Sequence, residues 1–230
     1  MIHFHIVTLF PDSIEPYLQS SILGRGREKG LVKVSYYDPK DFTRDKYGRV
    51  DRRPYGGGPG MVLEPDAILR AVDAAKKKAK LVEIIFFGTD GKQFDEKMAK
   101  ELALGRNPIR ASGRKRPASN GTRHIIMICG RYEGIDARVQ KILKAKLVSV
   151  GPYVLTGGEL PAATLVDAIS RFVPGVLGKA ESLEASRISS PEVYTRPEVL
   201  IWKGKKYKVP PVLLTGNHVK INEWRTKKRG

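Results

Sequence analysis

Residues 149–163, SVGPYVLTGGELPAA, place Gly151, Gly157 and Gly158 around Pro152 and Tyr153, between a run suited to a strand and one suited to a helix. Glycine has no Cβ, so backbone there can turn tightly, adopt positive φ or press against a ligand. Two plain turns would satisfy this composition. A pocket walled by main-chain N–H and C=O groups would satisfy it too, and two further glycine-bearing motifs, RRPYGGGPGMVLEP (52–65) and ICGRYEGIDARV (128–139), bear on the choice.

The first of these looks like a phosphate-cradling loop. No Gly-Lys-Ser/Thr follows it and no helix starts directly behind the glycines, which argues against a nucleotide-hydrolysing site. No Gly-x-Gly-x-x-Gly follows the first strand either, which argues against a dinucleotide enzyme. The histidines His3, His5, His124 and His218 lack helical metal-ligand spacing. His3 and His5 share one strand face and are expected to be structural, so no metal site is expected. The single cysteine, Cys129, lies in an apolar run and can form neither an internal disulfide nor a multi-cysteine zinc site. It reads as a buried structural residue in a reducing, cytoplasmic setting.

Elements able to hold these loops recur along the chain. IHFHIVTLF, LVKVSYYD, VEIIFFG, HIIMICG and KLVSVG read as strands. Pro65 to Lys78, Phe94 to Leu104, Ala137 to Lys144 and Leu160 to Leu177 read as helices. Strands alternating with helices predict an α/β domain with a mostly parallel sheet. Ligands of such sheets sit beyond the carboxyl ends of the strands, where the turns at Gly88, Gly130 and Gly151 all fall. From Gly178 the composition turns polar and serine-rich, KAESLEASRISSPEV, the profile of a flexible linker. The predicted organisation is a domain over 1–178, a linker over 179–193 and a small, mainly helical C-terminal domain over 194–230.

The 230 residues carry 42 Lys and Arg against 24 Asp and Glu, a net charge of +18, which points to a polyanionic partner. No apolar run reaches the roughly 20 residues of a membrane-spanning helix, so no membrane partner is expected. The opening MIHFHIVTLFPD lacks a basic lead-in and reads as a first strand rather than a signal peptide. Gly105 to Arg123 holds six Arg or Lys and no acid, as a solvated insertion or an RNA contact would. In the tail, Lys203, Lys205, Lys206 and Lys208 surround Tyr207, and Arg225, Lys227, Lys228 and Arg229 follow Trp224. Charge with aromatics suits RNA, where phosphates set affinity and unpaired bases stack on flat side chains.

ICGRYEGIDARV, residues 149–178 and the tail motifs YTRPEVL and VPPVLLTGNHVKINEWR, with PYGGGPGMV upstream, together resemble the bacterial tRNA (guanine-N1)-methyltransferases of the SPOUT superfamily. The likeness runs in order over nearly the whole chain. It implies a homodimer, a deep trefoil knot in the N-terminal domain, S-adenosylmethionine as methyl donor, and as substrate the guanosine immediately 3′ of the anticodon in tRNA. Magnesium is implied by the resemblance only.

By matching position, the resemblance places the cofactor against Phe86, Phe87, Gly88, Gly130, Tyr132, Glu133, Ser149, Val150, Gly151, Tyr153, Leu155, Gly157, Gly158 and Pro161. The chemistry then requires a carboxylate to take the proton from guanine N1 and a cation near O6, where negative charge grows. Arg171 matches the family's catalytic arginine. The family's linker aspartate has no counterpart, because aligning the serines puts Ala185 in its place. The neighbouring Glu184 becomes the candidate base. Glu181, Glu192 and a water-delivered base remain open, as does a tRNA-binding homologue with impaired catalysis.

Overall fold

A computed structural model describes residues 1–77, 82–105, 121–177 and 192–227. The chain divides into two compact units, Met1–Leu177 and Gly178–Gly230. In the first, five parallel strands form one sheet in the order β2-β1-β6-β5-β7: β1 (Ile2–Val7), β2 (Val32–Tyr37), β5 (Val82–Gln93), β6 (Arg123–Ile128) and β7 (Lys146–Ser149). A two-stranded antiparallel ribbon, β3 (Asp51–Arg52) with β4 (Val62–Leu63), stands apart from it.

Period-two alternation gives the sheet two buried faces. Ile2, Phe4 and Ile6 of β1, with Ile125, Met127 and Cys129 of β6 and its exit, pack with α4 (Glu96–Leu104) and α6 (Glu159–Ser170). Val7, Ile126 and Ile128 pack with α3 (Pro65–Lys76) and α5 (Ala137–Leu143). The α3 helix has Pro65 in its first turn and buries Ala67, Ile68, Ala71, Val72 and Ala75, a stripe at helical spacing. Side-chain caps start α4 and α5: Asp95 accepts from the Met98 N–H at 2.7 Å, and Asp136 from the Arg138 N–H at 2.9 Å. Each satisfies a first-turn donor that has no intrahelical partner.

The five expected strands are those of the main sheet, and the four expected helices are present, with the last ending at Ser170. Two short helices, α1 (Glu15–Leu18) and α2 (Ser21–Glu28), were not foreseen. Nor was the length of β5, expected to end near Gly88. It runs to Gln93 with a register irregularity against β7 between Phe87 and Lys92, so Gly88–Gly91 is an excursion within a strand. Glycine suits it there, since a Cβ on Gly91 would stand 2.6 Å from the Val148 nitrogen.

The second unit adds strands to the expected helical tail. It holds α7 (His218–Lys227), but also an antiparallel hairpin, β8 (Val199–Trp202) with β9 (Lys205–Lys208). The run VLIW supplies β-branched and aromatic residues, and the intervening Lys203 and Gly204 both take positive φ, 48° and 75°. That pair of signs is the tight hairpin turn whose twist matches the strands.

Candidate cofactor site

The excursion within β5 and the exits of β6 and β7 converge on one cleft. Its lining is Phe87, Gly88 and Thr89 from β5, the 130–134 loop after β6, and residues 148–151, 153–158 and Pro161 from β7 to the start of α6. Main-chain bonds hold these walls together. The Gly158 N–H donates to the Gly130 carbonyl at 3.0 Å, and the Phe94 N–H to the Ser149 carbonyl at 2.7 Å. Ser149 Oγ accepts from the Gly151 N–H at 3.2 Å and donates to its carbonyl at 3.0 Å, closing that turn on itself.

The glycine-rich motif at 52–65 belongs to the same construction. Glu133 N–H donates to the Met61 carbonyl and Leu63 N–H to the Gly134 carbonyl, both at 3.0 Å. Gly60, at φ 81°, lies so close to Glu133 that a Cβ would stand 2.5 Å from its Oε1. Tyr132, between these contacts, has φ 60°, a conformation uncommon for a bulky side chain.

Of the residues assigned to the cofactor from sequence, Phe87, Gly88, Gly130, Tyr132, Glu133, Ser149, Val150, Gly151, Tyr153, Leu155, Gly157, Gly158 and Pro161 line the cleft. Phe86 does not. Its side chain packs with the α3 and α5 core, while Phe87 packs with the other, because successive strand residues face opposite ways. Glycines 151, 157 and 158 are not at positive φ. What they permit is close approach: a Cβ on Gly158 would lie 2.6 Å from Cys129 Cα, and one on Gly151 would enter the Tyr153 ring.

Sequence reasoning missed the ion pair behind this wall. Glu159, 2% exposed, accepts a hydrogen bond from Thr8 Oγ1 at 2.7 Å. Its other oxygen lies 2.9 Å from Arg131 Nε, an ion pair without well-directed hydrogen-bond geometry. Arg131 sits over the Phe10 ring, 4.6 Å from its centroid, and reaches the Thr156 carbonyl at 3.5 Å. Both charged residues stand inside motifs already singled out; a glutamate directly after two glycines and at a helix start was the available signal. Cys129 is buried, and that burial pushes its thiol well above its ordinary pKa, as suits a structural cysteine.

Arg171 caps the far end of α6, its N–H donating to the Asp167 carbonyl at 3.3 Å. It lies ten positions beyond Pro161 in the cleft, which at 1.5 Å per helical residue is about 15 Å. It is not among the residues that line the cleft. Glu184 and Glu181 lie outside the described residues. Glu192 accepts from the Tyr194 hydroxyl at 2.9 Å. In the second unit, the hairpin exposes Trp202 and Tyr207 beside Lys203, Lys205, Lys206 and Lys208. Trp224 instead lies against Tyr194, their centroids 6.3 Å apart. Most of the basic 105–123 segment, and Lys228 and Arg229, are outside the described residues.

The family model described as tRNA (Guanine-1)-methyltransferase TrmD matches residues 2–230. The chain belongs to that family. Relatives named tRNA (guanine-N(1)-)-methyltransferase align with nearly all of this chain. The one from Mannheimia succiniciproducens is 42% identical over 96% of this chain and 81% of its own, and that from Dictyoglomus turgidum 41% over 99% and 84%. The relative from Yersinia pestis is 40% identical over 96% and 84%. A TrmD-family chain accordingly carries this parallel sheet and cleft, and among the described residues no helix is long and apolar enough to cross a membrane.

Proposed function

We propose that this chain transfers a methyl group from S-adenosylmethionine to N1 of the guanosine immediately 3′ of the anticodon in tRNA, acting in the cytoplasm as a homodimer. Residues 1–178 form the knotted cofactor-binding domain, 179–193 the interdomain linker and 194–230 the tRNA-binding domain. The observation that carries the reading is the cleft of main-chain groups at the β5 excursion and the exits of β6 and β7, in a TrmD-family chain of net charge +18.

The residues present fit the cofactor. Backbone donors and acceptors from 130–134, 149–151 and 155–158 suit an adenine edge and ribose, Leu155, Val150 and Tyr153 give apolar cover, and Glu133 offers a carboxylate to the cofactor's positive charge. When bound, the sulfonium supplies an electrophilic methyl group. The cleft's contribution is to hold that carbon in line with the acceptor nitrogen, which is itself a large part of the acceleration.

Guanine N1 is protonated at neutral pH and must lose its proton as it attacks. Glu184 takes that proton, and Arg171 offsets charge growing at O6. The distance of Arg171 from the cleft along its own helix favours a site completed by a second copy of the chain. Magnesium finds no matching donor set among the described residues. Among the described residues, the one group of three or more His, Cys, Asp or Glu able to share an ion is all imidazole, whereas magnesium prefers oxygen; no step is routed through it.

The test is purified protein with labelled S-adenosylmethionine and tRNA transcripts carrying guanine or adenine after the anticodon. Incorporation that requires guanine there is the expected result. Binding without incorporation would mark a catalytically impaired homologue, and label elsewhere in the RNA a different target. Glu184→Gln should lower turnover far more than cofactor affinity; an unchanged rate removes it as the base.

A further inference from the structure

Away from the cleft, the side chains of β1 that face α3 include two histidines. His3 and His5 are 5% and 0% exposed, and the parallel register sets His3 directly beside His124 of β6. The three rings are gathered together: His3 and His5 centroids are 3.9 Å apart, and His5 and His124 are stacked at 5.2 Å. One ring nitrogen from each lies within 4.8 Å of the other two. His5 Nε2 and His124 Nδ1 are 2.9 Å apart, so two lone-pair nitrogens share a single proton.

Hydroxyls on β2 orient the rings. Tyr37 meets His5 Nδ1 at 3.0 Å, and Ser35 meets His3 Nε2 at 2.9 Å. A hydroxyl can accept the N–H of a ring nitrogen and so hold the ring's orientation, as outer partners do around metal-bound histidines. We propose that His3, His5 and His124 form a binding site for a divalent transition ion of the zinc class, toward the amino-terminal end of the sheet and separate from the cofactor cleft.

The donor chemistry selects the ion. Three imidazoles without a carboxylate suit zinc, nickel or copper rather than magnesium or calcium. A tetrahedral zinc ion takes three such nitrogens at about 2.0–2.1 Å and leaves a fourth position for water or an anion. The ion replaces the proton shared by His5 and His124, and His124, the only partly exposed ring of the three, gives it a way in. The backbone needs little rearrangement, since the rings already converge on adjacent strands. The expectation from helical spacing missed this site because its ligands come from β1 and β6, 119 residues apart.

The full chain, stripped with a chelator and dialysed, is titrated with zinc chloride and separately with magnesium chloride. The expected result is uptake of one zinc ion per chain, no magnesium uptake, and a zinc absorption edge reporting imidazole nitrogens in the first shell. The His3→Asn, His124→Asn double variant should lose the one-to-one uptake, while His218→Asn retains it. No zinc uptake by the wild type overturns the proposal, as does equal uptake by the double variant. Should that variant misfold by circular dichroism, the wild-type absorption spectrum decides: a shell of oxygen alone refutes the site, and imidazole scattering sustains it.

Discussion

Gly158→Ala tests whether the cleft's glycines serve close approach of one loop to another. Gly158 has φ −82°, which any residue adopts, so the obstacle is space alone. The new Cβ would stand 2.6 Å from Cys129 Cα, 3.0 Å from its Cβ and 3.0 Å from the Gly130 nitrogen. Carbon atoms in contact sit at about 3.5–4.0 Å, so the two loops must part by roughly 1 Å, and because backbone atoms obstruct, no rotamer change relieves it. The same shift breaks the 3.0 Å bond from the Gly158 N–H to the Gly130 carbonyl. Overpacking costs about 1–3 kcal/mol and the lost hydrogen bond about 1, a total of roughly 2–4 kcal/mol. Urea unfolding of the full chain measures it. Gly121→Ala, where nothing lies within 4 Å, is the control and should stay within about 0.5 kcal/mol. The parted walls should also weaken S-adenosylhomocysteine binding by calorimetry at least about tenfold, or 1.4 kcal/mol. An unfolding midpoint and affinity equal to wild type would refute the reasoning.

Arg171→Ala should slow single-turnover methyl transfer by about 100-fold, the effect of removing one donor at a developing oxyanion, with cofactor affinity unchanged; a normal rate would remove Arg171 from catalysis. Acid stability should depend on Glu15. Burial pushes its pKa up, but hydrogen bonds from Arg27, Tyr36 and Gln19 and the Arg27 charge outweigh this and hold it below the ordinary 4.5. A carboxylate held low contributes stability above its unfolded value that is lost as pH falls through the folded one. Glu15→Gln should therefore destabilise by about 1 kcal/mol at neutral pH and converge with wild type in acid, and a gap of constant size in urea midpoints would exclude the linkage.

The main sheet was legible because its strands are short runs rich in β-branched and aromatic residues, as in IHFHIV, VEIIFF and HIIMI. What escaped had weaker local signals. The α2 segment SILGRGRE holds two glycines, which depress helix propensity, and it forms because Leu23 and Gly26 pack into the core: a Cβ on Gly26 would touch Val32 and Val176. The β8–β9 hairpin turns on Lys203-Gly204, where asparagine or aspartate would have announced the positive φ. Tertiary contact decided the first case, and an unfavourable residue tolerated in a tight turn the second.

The cleft and the histidine cluster divide along the same line. Cleft residues lie within a few positions of the apolar runs VEIIFF, HIIMIC and KLVSV, so their glycines could be assigned to one end of a parallel sheet before any pairing was known, although β5 itself runs on past its glycine. His124 meets His3 and His5 only because β6 inserts beside β1 in the order β2-β1-β6-β5-β7, a choice that no spacing within one strand encodes. The Thr8–Glu159 bond likewise joins positions 151 apart. Arg171 is a third case. The likeness assigned it a catalytic role, but its place at the far end of α6 from Pro161 is set by helix length, which no motif around it states.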